Sequence, residues 1–288
     1  MIMRYMLMII TCFATVMLSA NASCQTLDGR PYDPSTDPDV DMYMGSWTES
    51  MPRHTHGSLI ERDILTGGDS LNPPRRGAVL KYVKSFTHGT LYTGSSTAPT
   101  TLDGEQEAFY IISGAGTVSA TGETAELSHG VSFLAPEGLE FTMTNTGDEP
   151  LTMYIVCEPV QPGFTPRKKL VVKSEDDVRF NKGIGHWSYK EKDLLVGGMF
   201  STLHAVITLT LDPMTIGHPH FHVAGCEEVW TTISGDNIAW LGKELREQPP
   251  GTAYMIPPDG RTNHSNINNS KTGLVKLLYF SVRADMRK

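Results

Sequence analysis

Two stretches carry the reading of this chain: Gly217-His-Pro-His-Phe-His-Val-Ala-Gly-Cys-Glu-Glu-Val-Trp-Thr-Thr-Ile-Ser-Gly235, and, downstream, Gly251-Thr-Ala-Tyr-Met-Ile-Pro-Pro-Asp-Gly-Arg-Thr-Asn-His-Ser-Asn-Ile-Asn268. Residues two apart in a strand share a face. His218, His220 and His222 are therefore expected to project together, and a carboxylate a few residues on can close on the same point. A lone surface histidine means little. Alternating histidines, a carboxylate and a further histidine after a Pro-Gly turn make a metal-ligand set.

The two segments resemble the paired motifs of the cupin family, G(X)5HXH(X)3-4E(X)6G and G(X)5PXG(X)2HX3N. On that resemblance the ligands are His220, His222, Glu228 and His264. Two departures leave alternatives open. Five residues separate His222 from Glu228 where the family has three or four, so Glu227 is a second choice for the carboxylate. His264 lies one place late after Gly260 and Asn263 holds the strict position. The spacing from His264 to Asn268 is the family's own, which favours a one-residue bulge before His264, and Asn is a poor transition-metal ligand. The set implies one divalent transition metal: Mn, Fe, Ni, Zn or Cu, between which ligand softness alone does not choose.

The first half of the chain repeats the pattern without the histidines. Glu107, Gly114, Gly130, Pro136, Phe141 and Asn145 match Glu228, Gly235, Gly251, Pro257, His264 and Asn268, and the glycine-to-glycine separation is sixteen in both halves. Where HXH belongs, the first half reads Thr97-Ala-Pro-Thr-Thr-Leu-Asp103. An internal repeat of this kind resembles a bicupin. The expected fold is all-β: two tandem cupin (double-stranded β-helix, or jelly-roll) barrels. The expected divisions are a signal peptide over 1–22, an N-terminal arm over 23–52, a degenerate, metal-free barrel with an apolar plug over 53–160, a linker or arm over 161–196, and a metal-binding barrel over 197–288. Short strands with frequent turn signals agree with this. His54-Thr-His56 has the HXH spacing but no Glu and Gly at the family distances, and reads as a loop or a strand lying across the other barrel.

The chain of 288 residues is 39% hydrophobic, enough for sizeable cores. Its net charge of -8 lacks a long run of either sign and argues against a nucleic-acid partner. Residues 1–22 show Arg4, an apolar run of about 15 residues, and Ala20-Asn-Ala22, the order of a secretory signal peptide. That run is short for a membrane span, so a secreted or periplasmic chain with no stable span after cleavage is expected. A lipoprotein anchored through Cys24 is the weaker alternative, because Asn21 stands where an aliphatic residue is wanted. After loss of Cys12, the odd set Cys24, Cys157 and Cys226 spells no disulfide framework.

Two functions follow. One is a metal-dependent enzyme acting on a small oxygen-bearing molecule, of the dioxygenase, decarboxylase, lyase or isomerase types that the resemblance implies, with Glu227, His218 and Tyr254 as acid–base candidates. The other is a non-catalytic protein that binds a sugar or carboxylate and carries a structural metal. Either would have a small molecule as its partner and could form a homo-oligomer. Tyr254, Trp230, Trp240 and Met255 fall in strands near the ligands, and about half of them should line the pocket.

Overall fold

The computed structural model describes residue 33 and residues 35–181 and 188–282; the expected signal peptide, Cys12 and Cys24 lie outside them. The described chain is all-β, folded as two tandem barrels of jelly-roll type, each a large sheet facing a small one. In the first barrel the large sheet runs Val171–Ser174, Val131–Ala135, Glu105–Ser113, Leu151–Pro159, Ser85–Leu91, Leu59–Gly67 and Arg53–Thr55, with Ala78–Leu80 beside Leu59–Gly67. Its small sheet is Thr142–Asn145, Gly116–Ala120 and Glu123–Leu127. In the second barrel the large sheet runs Met44–Ser46, Thr252–Met255, Glu227–Ser234, Val275–Val282, Ala205–Leu211 and Lys190–Val196. The small sheet is Thr215–Ile216, His264–Asn268, Asn237–Leu241 and Glu244–Gln248.

The repeats exchange strands. Met44–Ser46, which precedes the first barrel in the chain, pairs with Thr252–Met255 of the second. Val171–Ser174, which follows the first barrel, pairs with Val131–Ala135 within it. Each of these strands ends on a serine, Ser46 or Ser174, whose side chain caps a short 3-10 turn. The arms are thus equivalent, and each leading arm completes the sheet of the neighbouring barrel. The expected boundary at 197 falls inside a sheet, since Lys190–Val196 and Ala205–Leu211 are paired strands of the second barrel, whereas at 53 the strand Arg53–Thr55 opens the first barrel's sheet. The arm is locked where Trp47 meets Gly251: a Cβ at Gly251 would lie 2.3 Å from the indole nitrogen, and the backbone there has φ +83°.

Strand alternation explains why Glu105–Ser113 is buried on both faces. Phe109 and Ile111 point into the first barrel's own core with Phe133, Phe141, Met143 and Ile155. Ala108 and Tyr110 join a second core shared with Val229, Leu277 and Phe280 of the other barrel. Across that junction Phe86 meets Phe280 at 5.1 Å, and the Tyr154 hydroxyl donates to the Thr232 carbonyl at 3.0 Å.

Two buried carboxylates fasten the barrels from opposite sides. Glu227 accepts from the backbone N–H groups of Lys81, Tyr82 and Val83 at 2.7, 3.2 and 3.2 Å. Glu158 accepts from those of Ser201, Thr202 and Leu203 at 2.8, 3.0 and 2.7 Å. Each loop leads into the equivalent strand of its barrel, Ser85–Leu91 or Ala205–Leu211. A carboxylate held by several backbone donors satisfies groups that would otherwise be buried unpaired. No described helix is long and apolar enough to cross a membrane.

Candidate metal centre

His220, His222, Glu228 and His264 converge: one ligand atom from each lies within 4.8 Å of the other three. Donors around a common ion at about 2.1 Å must stand about 3 to 4 Å apart, so small shifts of the rings suffice to close on an ion. Three imidazoles and a carboxylate suit a divalent transition metal chemically. The donor set and its spacing therefore fit the group that the resemblance implies.

Each ligand is placed by a separate local feature. Glu228 points into the barrel because Glu227, its neighbour on the strand, points out to the loop at 81–83. His264 begins the strand His264–Asn268 and forms an antiparallel bridge with His220, their backbones bonded both ways at 2.9 and 3.3 Å. That bridge sets the register of the two histidines. His222 stands at the mouth, its side chain 26% exposed against 2% for Glu228. Gly217 follows the strand Thr215–Ile216 and leads into the irregular ligand segment where the Tyr189 hydroxyl passes; a Cβ there would meet that oxygen at 1.9 Å.

His218 is not in the converging group. Its carbonyl contacts His220 Nδ1 at 2.8 Å, and its ring stacks on that of His220 at 5.6 Å. With Nδ1 engaged, His220 has Nε2 to offer to an ion. Burial pushes the His220 imidazole down to about 3, with His264 acting in the same direction. Burial alone would raise Glu228, but the imidazoles of His222 and His264 override it and hold the carboxyl well below its usual range. The contacts are His222 Nε2 to Oε2 at 3.0 Å and His264 Nε2 to Oε1 at 3.1 Å.

Of the residues expected around the ligands, Trp230 and Tyr254 belong to the interior. Trp230 Nε1 donates to Glu228 Oε1 at 2.8 Å. Tyr254 is fully buried beside Asn266 and Tyr189, and burial pushes its phenol well above the ordinary range. Met255 takes the opposite strand face, and Trp240 lies half-buried with its indole on the Gly242 carbonyl. Glu227 turns away from the group. Cys226 is buried and takes part in no disulfide among the described residues.

Reasoning from sequence missed Tyr279, whose hydroxyl donates to Glu228 Oε2 at 2.9 Å. It also missed the polar floor beneath: Asn237 Nδ2 donates to Gln248 and Asn266, and Asn266 Nδ2 to the Tyr189 hydroxyl. The signal was present in the repeat. By strand register, Phe109, Phe133, Phe141, Met143, Ile155 and Leu127 of the first barrel stand where the second has Trp230, Tyr254, His264, Asn266, Tyr279 and Gln248. An apolar side chain in one barrel is a hydrogen-bonding one in the other at all of these positions.

The reading of His54-Thr-His56 needs correction. Arg53–Thr55 pairs within the first barrel's own sheet, and His54 is exposed. His56, at φ 46°, turns into that barrel beside Glu107 and the ring of Phe141. The bridge Thr100 to Phe141 corresponds to His220 to His264, which places Thr100 and Leu102 at the HXH positions. The plug is apolar apart from this imidazole and the carboxylates of Glu107 and Glu61 beside it.

The Cupin domain family matches residues 88–157, in the first barrel. No curated protein matches the chain. Among solved structures, a putative glyoxylate-induced protein from Pseudomonas aeruginosa is similar at 14% identity and TM-score 0.64, over 88% of this chain and 93% of that one. Oxalate decarboxylase from Lactobacillus farciminis, in a formate complex, is similar at 11% identity and TM-score 0.62, over 87% and 90%. Vicilin from Corylus avellana is similar at 11% identity and TM-score 0.62, over 85% and 86%. The domain match in the first barrel and the second barrel's repetition of its fold support a cupin-superfamily chain of bicupin-like, two-barrel architecture.

Proposed function

We propose that this chain is an exported metal-dependent bicupin enzyme that acts on a small oxygen-bearing molecule at a single ion in the second barrel. The observation that carries the reading is the convergence of His220, His222, Glu228 and His264 inside a barrel with a polar interior. When bound, the ion would supply a Lewis acid that orients and polarises a substrate oxygen. The partial exposure of His222 marks the side from which a substrate approaches, and the deep burial of Glu228 and His264 excludes water behind them. Of the acid–base candidates, His218, stacked on His220, is the one this reading retains for proton transfer; Tyr254 is enclosed and held protonated by burial, and Glu227 is engaged by the loop at 81–83. The similarity to an oxalate decarboxylase supports small carboxylates as the first substrates to try. Export rests on the apolar segment before Ala20-Asn-Ala22.

The test is elemental analysis of the purified chain and of His220→Ala, followed by oxygen-consumption and decarboxylation assays with small dicarboxylates, catechols and flavonols. The expected result is one transition-metal ion per chain, lost in the variant, with turnover of one substrate class. Absence of any bound metal overturns the metal reading. A tight ion with no turnover of any of these overturns the enzymatic one in favour of a ligand-binding protein with a structural metal.

A further inference from the structure

Glu228 is gripped by two donors that are not themselves candidate ligands. Trp230 Nε1 reaches Oε1 at 2.8 Å, and the Tyr279 hydroxyl reaches Oε2 at 2.9 Å. The first lies two residues along the same strand, hence on the same face. The second sits on the adjacent strand, directly across from Trp230 in the pairing register. Glu228, Trp230 and Tyr279 are 1%, 1% and 4% exposed, so water does not compete for these bonds. His222 and His264 approach the same two oxygens from the other side.

The first barrel supplies a natural comparison. Glu107 holds the position of Glu228, but the residues standing where Trp230 and Tyr279 would be are Phe109 and Ile155, neither of which has a side-chain donor. An indole and a phenol donor flank the carboxylate only in the second barrel; Glu107 has the His56 imidazole, brought in from a different strand, instead.

We infer that Trp230 and Tyr279 are positioning residues that fix the Glu228 carboxylate at both oxygens for metal binding. The inference rests on the metal reading above. A carboxylate tied at both oxygens cannot turn about its terminal bond, so its orientation is set before an ion arrives, and both bonds draw charge from the oxygens. Outer partners of this kind change metal affinity by about 10- to 100-fold when removed.

The experiment titrates the chain and three variants with Co2+ by calorimetry and follows the visible absorption of the bound ion. Tyr279→Phe and Trp230→Phe are expected to bind Co2+ about 10- to 100-fold more weakly, with displaced absorption bands. Tyr154→Phe removes another buried phenol, one that donates to the Thr232 carbonyl, and should leave affinity and bands unchanged. If Trp230→Phe does not fold, the near-isosteric Tyr279→Phe carries the test alone. Tight binding and an unaltered spectrum in Tyr279→Phe overturn the inference while the metal reading stands. Failure of the unmodified chain to bind Co2+ overturns both.

Discussion

His56 Nε2 lies 3.2 Å from Glu107 Oε2, in the barrel where Thr100, Leu102 and Phe141 stand at the positions of the histidines. Glu61 is a second carboxylate neighbour at 3.8 Å, itself held by Arg53, Thr55 and Thr87. An imidazole brought in by the hairpin at 53–60 is therefore the counter-charge that the buried Glu107 requires. Removing one partner of a buried pair leaves the other uncompensated. His56→Ala should lower stability by about 3 kcal/mol, read from urea unfolding, and His56→Ala combined with Glu107→Gln should recover part of that loss.

The same pair fixes the sign of an alkaline effect. Burial lowers the His56 imidazole, but its bond to Glu107 and the charges of Glu107 and Glu61 outweigh it and raise the group overall. Burial also raises Glu107. Both shifts mean that the folded chain holds a proton which the unfolded chain has released. The contribution of His56 is fully present below about pH 6.5 and is lost as pH rises through its folded value. Unfolding free energies measured from pH 6 to 9 should fall with pH, and His56→Gln should flatten the slope.

His88 should act in the opposite direction. It is stacked on Trp47 at 4.7 Å with Tyr154 edge-on, and burial, reinforced by Arg62, pushes its imidazole down to about 4. Between pH 6.5 and 4 the unfolded chain takes up a proton that the folded chain refuses, so stability falls as pH falls. The loss is at most about 3 kcal/mol. His88→Phe, which keeps a ring against Trp47, should shallow the acid limb of the stability curve.

How much of this was legible in the sequence depended on whether a feature was local. The four candidate ligands sit in two short motifs, and the resemblance of those motifs to the cupin pattern names them; strand alternation alone adds His218, which the structure leaves out of the group. Tyr279 and His56 could not be placed that way, because their partners are 51 and 51 residues distant in the chain and meet only through strand pairing. Which barrel each arm joins was not legible for a related reason: Met44–Ser46 and Val171–Ser174 are three and four residues long, and nothing in so short a run says where it will pair. Comparing the repeats position by position would have exposed the polar interior of the second barrel, since Phe141 against His264 is one of a whole series of such exchanges.

Glu227 and Glu228 are adjacent, and the spacing alone left both open as ligands. Their surroundings separate them. Glu227→Gln keeps shape but replaces a charged acceptor of three backbone donors by a neutral amide. Bonds to charged groups contribute about 1.5 to 3 kcal/mol each, partly retained by the amide oxygen. A stability loss of about 2 kcal/mol is expected, with unchanged metal affinity. Glu158→Gln should behave alike through the loop at 201–203. A Glu227→Gln chain of undiminished stability that no longer binds metal would make Glu227 the ligand and refute the assignment of Glu228.

Metal binding should also appear as stabilisation confined to one stoichiometric event. An ion that binds only the folded chain adds RT ln(1 + [L]/Kd), about 2.7 kcal/mol at a hundredfold excess over Kd. Binding to deprotonated imidazoles competes with protons, and burial already keeps His220 neutral down to about 3. Thermal melts with Mn2+, Co2+ or Zn2+ at pH 7 should therefore move upward and saturate at one ion per chain. Glu228→Gln should remove the shift, because it replaces the only carboxylate of the converging group. His56→Ala should leave the shift intact although the starting melt is lower, since His56 faces Glu107 in the other barrel. A saturating ratio of two ions per chain, with one lost in His56→Ala, would instead make the pair in the first barrel a metal site of its own.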